Sequence, residues 1–233
     1  SVAVAAVLVV GSFLVPVVYV EYLGEIDALG SVPRLIVLRL GVIAGLVAPP
    51  LAAYLEIAER AGAGSPLPSL MTGFTEEGVK VFVALALIGR ARYRSEMAGL
   101  VAGAACGMGF AAFENAGYAL ATLSQSGIPA FLDTLWFRQA LSPIGHAAWT
   151  ASVMAVFWRE RYGDGRGRAM PVLATYAVAS LLHAAWDWSP LPGYGLYAWY
   201  LAIGAVSVAI LRARIRESLS QEQPRPAGDT IGG

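Results

Sequence analysis

Long apolar runs alternate with short polar breaks from one end of the chain to the other. The pattern gives seven candidate spans, at about 2–20, 34–57, 70–89, 96–122, 138–158, 170–188 and 194–211. Each is near or above the roughly 20 apolar residues with which an α-helix crosses hydrocarbon. The expected fold is therefore all-α, a polytopic transmembrane helix bundle of about seven spans. The first run lacks the basic leading region and A-x-A site of a secretory signal, and it reads as a helix. From about Ser218 the stretch "SLSQEQPRPAGDTIGG" turns polar and rich in Pro and Gly, which predicts disorder. Residues 1–217 then form one transmembrane domain with a core at about 70–190, and 218–233 form a tail. No internal repeat is visible. Gly99, Gly103 and Gly107 lie at the small-xxx-small spacing of close helix packing. Pro49 and Pro50 predict a kink in the second span, and Pro143 a loosened helix near His146.

Composition sharpens this picture. The 233 residues are 57% hydrophobic and 14% charged, against about 45–50% apolar and 25% charged for a soluble domain. Little chain remains for a separate soluble unit. The net charge is zero, which gives no electrostatic reason to expect nucleic acid. The one cysteine, Cys106, excludes an intrachain disulfide framework. Basic residues set the orientation. Arg90, Arg92 and Arg94 follow the third span, Arg159, Arg161, Arg166 and Arg168 the fifth, and Arg212, Arg214 and Arg216 the seventh. The opposite connections hold little beyond Arg60 and Arg138. The amino terminus is expected outside, the carboxyl terminus in the cytoplasm, and the protein in the plasma membrane.

Against this background the stretch "FTEEGVK" is costly. A charge at the centre of a span costs about 2.5–3.5 kcal/mol on insertion scales. Glu76, Glu77 and Lys80 on the third span are joined by Glu114 and Asn115 on the fourth, His146 on the fifth, and His183 and Asp187 on the sixth. Counted along the expected spans at 1.5 Å per residue, all fall within roughly 5–13 Å of the outer face. Isolated, each polar group could be a packing hydrogen bond between helices. Gathered at one level from four helices, they argue for a site. Glu76 and Glu77 point about 100° apart, so one can pair with Lys80 while the other faces the site. His183 and Asp187, like Phe110 and Glu114, share a helix face at i, i+4.

These residues carry a resemblance. "EEGVK" is similar to the E-E-x-x-K motif of the PrsW family of intramembrane proteases. "FAAFEN" is similar to its F-x-x-x-E-N motif, "SPIGH" supplies a histidine, and "HAAWD" is similar to H-x-x-x-D. The ordered set covers about residues 74–187. More distantly the chain resembles the CAAX prenyl endopeptidases and bacteriocin-processing proteins, but the lysine spacing and Glu114 in place of a histidine favour PrsW. The resemblance implies proteolysis of a membrane-anchored protein within or beside the bilayer, and in the family's best-known member first-site cleavage of an anti-sigma factor. It implies catalytic roles for Glu76, Glu77, Glu114, His146, His183 and Asp187, supported by Lys80, Phe110 and Asn115.

Peptide hydrolysis needs an activated water, a polarised carbonyl and a proton donor for the leaving amine. By analogy, Glu76 is expected to be the base, with Glu77 paired to Lys80. His146 and His183, with Glu114 and Asp187, could instead hold a metal such as Zn²⁺ with an open position; the sequence leaves both routes open. Membrane-embedded Glu, His and Asp also build proton- or ion-coupled transporters, but the polar groups gather at one depth rather than form a path across. A catalytically inactive scaffold of the same fold is the other alternative, against which the full set of motif residues speaks.

Overall fold

The computed structural model describes residues 2–27, 30–56, 66–89, 93–163 and 167–222. Arg60, Arg90, Arg92 and Arg166, on which part of the orientation argument rests, lie outside the described residues, as does the tail from 223. The described residues form seven α-helices: α1 Val2–Ile26, α2 Arg34–Glu56, α3 Pro66–Ile88, α4 Glu96–Leu141, α5 His146–Tyr162, α6 Ala169–Asp187 and α7 Tyr194–Glu222. A 3-10 turn, Ser142–Ile144, joins α4 to α5. Strands are absent among the described residues.

Five stretches are long and apolar enough to cross a membrane: α1, α2, the continuous α4–α5 segment Glu96–Tyr162, α6, and Tyr194–Gln221 of α7. Helix α3 has the length but carries Glu76, Glu77 and Lys80 in its middle. The protein is a multi-pass membrane protein, and many large apolar side chains of α1, α2, α6 and α7 point outward, as a lipid-facing surface requires.

Two expectations are corrected. The segment between the fourth and fifth expected spans is helical. Gly127, at φ 79° and ψ −171°, reverses α4, a backbone conformation open to glycine and closed to most other residues. Pro129 then sits in the first turn of the returning stretch, where its missing N–H costs nothing. Residues 128–141 run back along the preceding turns: Thr134 Oγ1 lies 3.3 Å from Thr122 Oγ1, and Phe131 and Leu135 pack with Ala119 against α1. Consequently α5 opens at His146, not eight residues earlier, and Pro143 lies in the 3-10 turn rather than inside a helix. Secondly, α7 continues to Glu222, so residues 218–222 are helical, with Ser218 buried.

Helix α4 is the centre of the bundle. Its glycine ridge faces α5, as the spacing predicts: a Cβ on Gly103 would sit 2.6 Å from the Thr150 carbonyl, and one on Gly99 2.6 Å from that of Met154. A Cβ on Gly107 would collide with the carbonyl of His146. These glycines let the two backbones meet and bring His146 beside Phe110. On the other side of the bundle, α3 packs on α6. Tyr176 donates to the Phe74 carbonyl at 2.6 Å, and Gly73 lies against the backbone at Ser180 and Ala184. This registers His183 opposite the two glutamates.

Candidate active site

The two adjacent glutamates of α3 have different surroundings. Glu77 is fully buried and both of its carboxylate oxygens are engaged. Its Oε1 accepts from Lys80 Nζ at 2.8 Å and lies 2.9 Å from His183 Nδ1, and its Oε2 accepts from Thr150 Oγ1 at 3.1 Å. Glu76 Oε2 accepts from Lys80 at 3.0 Å and its carboxylate borders open space. Lys80, 0% exposed, spends its remaining donor on His146 Nδ1 at 2.9 Å, and the ammonium lies 4.0 Å from the centre of the Phe110 ring. An ammonium has three donors and no acceptor, and this one has three partners plus an aromatic face.

These contacts assign the histidine tautomers. Lys80 can only donate, so His146 Nδ1 accepts. The proton of its neutral ring is then on Nε2, 3.2 Å from Glu114 Oε2. Glu77 can only accept, so His183 donates from Nδ1, and in the neutral ring Nε2 then carries the lone pair. That nitrogen faces Glu76 Oε2 at 3.4 Å and Asp187 Oδ2 at 3.5 Å. Trp149 stacks on the His183 ring with centroids 4.9 Å apart and donates its own N–H to Ser207 Oγ on α7.

Glu114 brings in a residue that sequence reasoning assigned only to a connection. Arg138, on the returning stretch of α4, donates from Nη2 to Glu114 Oε2 at 2.6 Å and from Nε to Asn115 Oδ1 at 2.8 Å. Asn115 donates in turn to Ser142 Oγ, which donates to the Arg138 carbonyl. Thr150, Trp149 and Ser142 were likewise missed. The available signal was an arginine and a hydroxyl inside the apolar run "LWFRQALSPIGH", read as the mouth of a span.

All six expected catalytic residues and the supporting Lys80, Phe110 and Asn115 thus stand in one connected set on α3, α4, α5 and α6. Two spaces adjoin it. A polar cavity of about 30 Å³ is bordered by Glu114, Arg138, His146, Trp149, His183 and Asp187. It has room for a water or two. A groove of about 560 Å³ runs between α2 and α4, bordered by Gly45, Leu46, Pro49, Pro50, Glu76 and Glu114 among others. Glu114 borders both.

The donor set fits a divalent cation. Four carboxylates (Glu76, Glu77, Glu114, Asp187) face two cations (Lys80, Arg138), so with neutral imidazoles the ionised site carries a charge of −2. Unbalanced charge in a buried site is strongly unfavourable. Glu76, His146 and His183 each offer an atom within 4.8 Å of the others. His183 Nε2 faces two carboxylates at 3.4 and 3.5 Å, close to the ~3.3 Å separation of donors around a tetrahedral ion bound at about 2.0–2.1 Å. Glu77 behind His183 is the carboxylate that orients a metal-binding imidazole through its other nitrogen. This group differs from the one expected from sequence. Glu76 takes part, while Glu114 is drawn toward Arg138 and Asp187 approaches His183 alone.

A family model described as PrsW family intramembrane metalloprotease matches residues 33–213. No curated protein and no solved structure matches the chain.

Proposed function

From the premise that the chain belongs to the PrsW family of intramembrane metalloproteases and is a peptidase, we propose that it cuts a membrane-anchored protein using Glu114 as the proton-transferring carboxylate. The observation that carries this reading is the position of Glu114. It is the carboxylate that borders both the groove, about 560 Å³ in volume, and the small polar cavity, sized for water.

Glu76, His146 and His183 would hold the metal, and zinc suits two imidazoles and a carboxylate. His183 already offers a lone pair; His146 offers one by exchanging its contact with Lys80 or Glu114. When bound, a divalent ion there supplies Lewis acidity, polarising a carbonyl and making water a stronger acid. The protein's own groups do the rest. Glu114 takes a proton from the attacking water and returns it to the leaving amine. Arg138 holds the Glu114 carboxylate in place through one of its nitrogens while another anchors on Asn115. Glu77 fixes the His183 ring, and Lys80 offsets the charge of the paired glutamates. Asp187, 3.5 Å from His183 Nε2, adds negative charge beside the atoms that would hold the metal. The sequence-based assignment of Glu76 as the base gives way here to a metal-holding role, because its oxygen lies in the three-donor group.

Residues 1–217 act as one transmembrane unit in this reading, with α3 as a further span, the amino terminus outside and the protein in the plasma membrane. The arginines at the ends of α5 and α7 support that orientation. The cut then falls toward the outer part of a substrate helix, and an anti-sigma factor is the substrate type the family suggests. The test is proteolysis of a single-span reporter tagged on both sides, by purified protein with and without a chelator. Cleavage abolished by chelation and restored by a divalent ion supports the reading. Undiminished cleavage after complete metal removal, or by Glu114→Gln, overturns it.

A further inference from the structure

Helix α2 contains two consecutive prolines, Pro49 and Pro50, inside its helical span. Each lacks the N–H that would bond the carbonyl four residues back. Gly45 loses its donor to Pro49 and Leu46 loses its donor to Pro50. Leu46 loses more, because the tighter 3-10 bond would come from residue 49, which is also proline. Two adjacent backbone acceptors are therefore stripped of their regular partners, and both residues border the 560 Å³ groove that also contains Glu76 and Glu114. Opposite them the groove wall is apolar, formed by Phe110, Phe113 and Ala121. Gly45 keeps α2 close here: a Cβ at this position would lie 2.7 Å from the Gly109 carbonyl of α4.

A peptide bond within a helix is shielded by its own hydrogen bonds, so a substrate must unwind before it is cut. In hydrocarbon the N–H groups released by unwinding find no water and need acceptors. We propose that the groove between α2 and α4 binds an unwound stretch of a transmembrane substrate, with the carbonyls of Gly45 and Leu46 accepting hydrogen bonds from its backbone. The occupant follows from the chemistry of the wall: acceptors deprived of their regular donors suit a chain with free N–H groups, and an intact helix or a lipid tail has none to give. Recognition through the backbone adds no sequence requirement, as in strand addition to a sheet edge. The proposal rests on the protease reading for its purpose, and its test does not depend on cleavage.

The test uses the full chain carrying Glu114→Gln, so that nothing is cut. A photo-reactive benzoylphenylalanine replaces Ala53, which borders the groove, or Leu35, exposed elsewhere on α2. The probes are two synthetic spans of leucine and alanine flanked by lysines, one with a central triple glycine and one without. Capture of the glycine-containing span at position 53 is expected to exceed that of the stiff span by about fivefold, the equivalent of one ordinary hydrogen bond. At position 35 the two are expected to be captured alike. Pro50→Ala, which returns a donor to Leu46, should reduce the preference, and Pro49→Ala with Pro50→Ala should remove it. Should the double variant lose its wild-type melting behaviour, the single variant decides. Equal capture of both spans at position 53, or a preference that survives the proline changes, overturns the proposal even if the wild type cleaves reporters. A preference that stands while no reporter is ever cut leaves the groove assignment intact and removes the protease reading.

Discussion

Two charged clusters in this protein use the same residue types to different ends. At the centre, Glu76, Glu77, Lys80, Glu114, Arg138 and the histidines are interlocked between helices, and Lys80 and Glu77 are wholly buried. Where α5, α6 and α7 meet, Arg159 and Arg214 both bind Glu217, at 2.5 Å each, and Arg168 reaches Glu160 from a side chain 62% exposed. In the second cluster Glu217 and Glu160 each serve two cations, and at Glu217, a third exposed, water can replace a lost partner. In the first, Lys80 is the shared partner of two carboxylates and one imidazole, and no solvent reaches it. Burial therefore decides whether a charge pair is a replaceable staple or part of a device whose members fail together.

The largest expected effect lies at the centre. Glu114→Gln keeps the shape of the side chain but cannot take a proton, so reporter cleavage should fall by about 10²–10⁴-fold. Because Glu114 lies outside the three-donor group, bound divalent metal should remain near one per chain. His183→Ala should lose both metal and activity. Metal loss in the glutamine variant, measured by elemental analysis, would place Glu114 among the ligands and return the base to Glu76.

Lys80→Met comes next. It leaves Glu76 and Glu77 without their shared cation in a site that already carries surplus negative charge. Removing one member of a buried pair typically costs about 3–5 kcal/mol. A melting transition at the wild-type temperature, in the same detergent, would show that the central cluster tolerates loss as the outer one does, and the comparison would fail.

Arg138→Lys is subtler. A lysine is a single point donor and cannot hold Glu114 and Asn115 through a fork of two nitrogens. Since Arg138 positions Glu114 without belonging to the three-donor group, kcat is expected to fall about 10–100-fold, the range seen when an orienting partner is lost. KM and metal content should hold. A purely structural role would instead lower the melting temperature and leave kcat per folded molecule unchanged.

How much of this was legible beforehand follows from the same contrast. Charges in apolar spans are conspicuous, so the glutamates, histidines, Asp187 and Lys80 stood out without a structure. Lys80 near both glutamates followed from helical spacing, although its bond to His146, 66 residues away, is tertiary and has no local trace. The returning half of α4 was hidden. "GIPAFLDTLWFRQAL" has a breaker pair followed by mixed polar and apolar residues, and on hydropathy it divides into a loop and the mouth of a span. Its helical state depends on Gly127 reversing the chain and on packing against α1. Arg138 went unrecognised for that reason, since its role appears only once residues 128–141 lie back along 114–126. The third span was already marked out by its three ionisable groups, and by composition α3 falls outside the five stretches that qualify.

The smallest effect should come from the outer cluster, and it tests the comparison from the opposite side. Arg214→Gln removes one of the two cations on Glu217, while Arg159 keeps its own contact at 2.5 Å. The lost pair is an i, i+3 pair on α7 with side chains 24% and 33% exposed. Partly exposed pairs of this kind contribute about 0.2–1 kcal/mol, and salt screens them. The expected outcome is a stability loss of about 0.5 kcal/mol at low ionic strength that shrinks as salt is raised, with cleavage and metal content unchanged. Denaturation in detergent at two salt concentrations would measure it. A loss as large as that of Lys80→Met, or one insensitive to salt, would mean that Glu217 is not shared as its geometry implies and that the rim of the bundle is coupled as tightly as its centre.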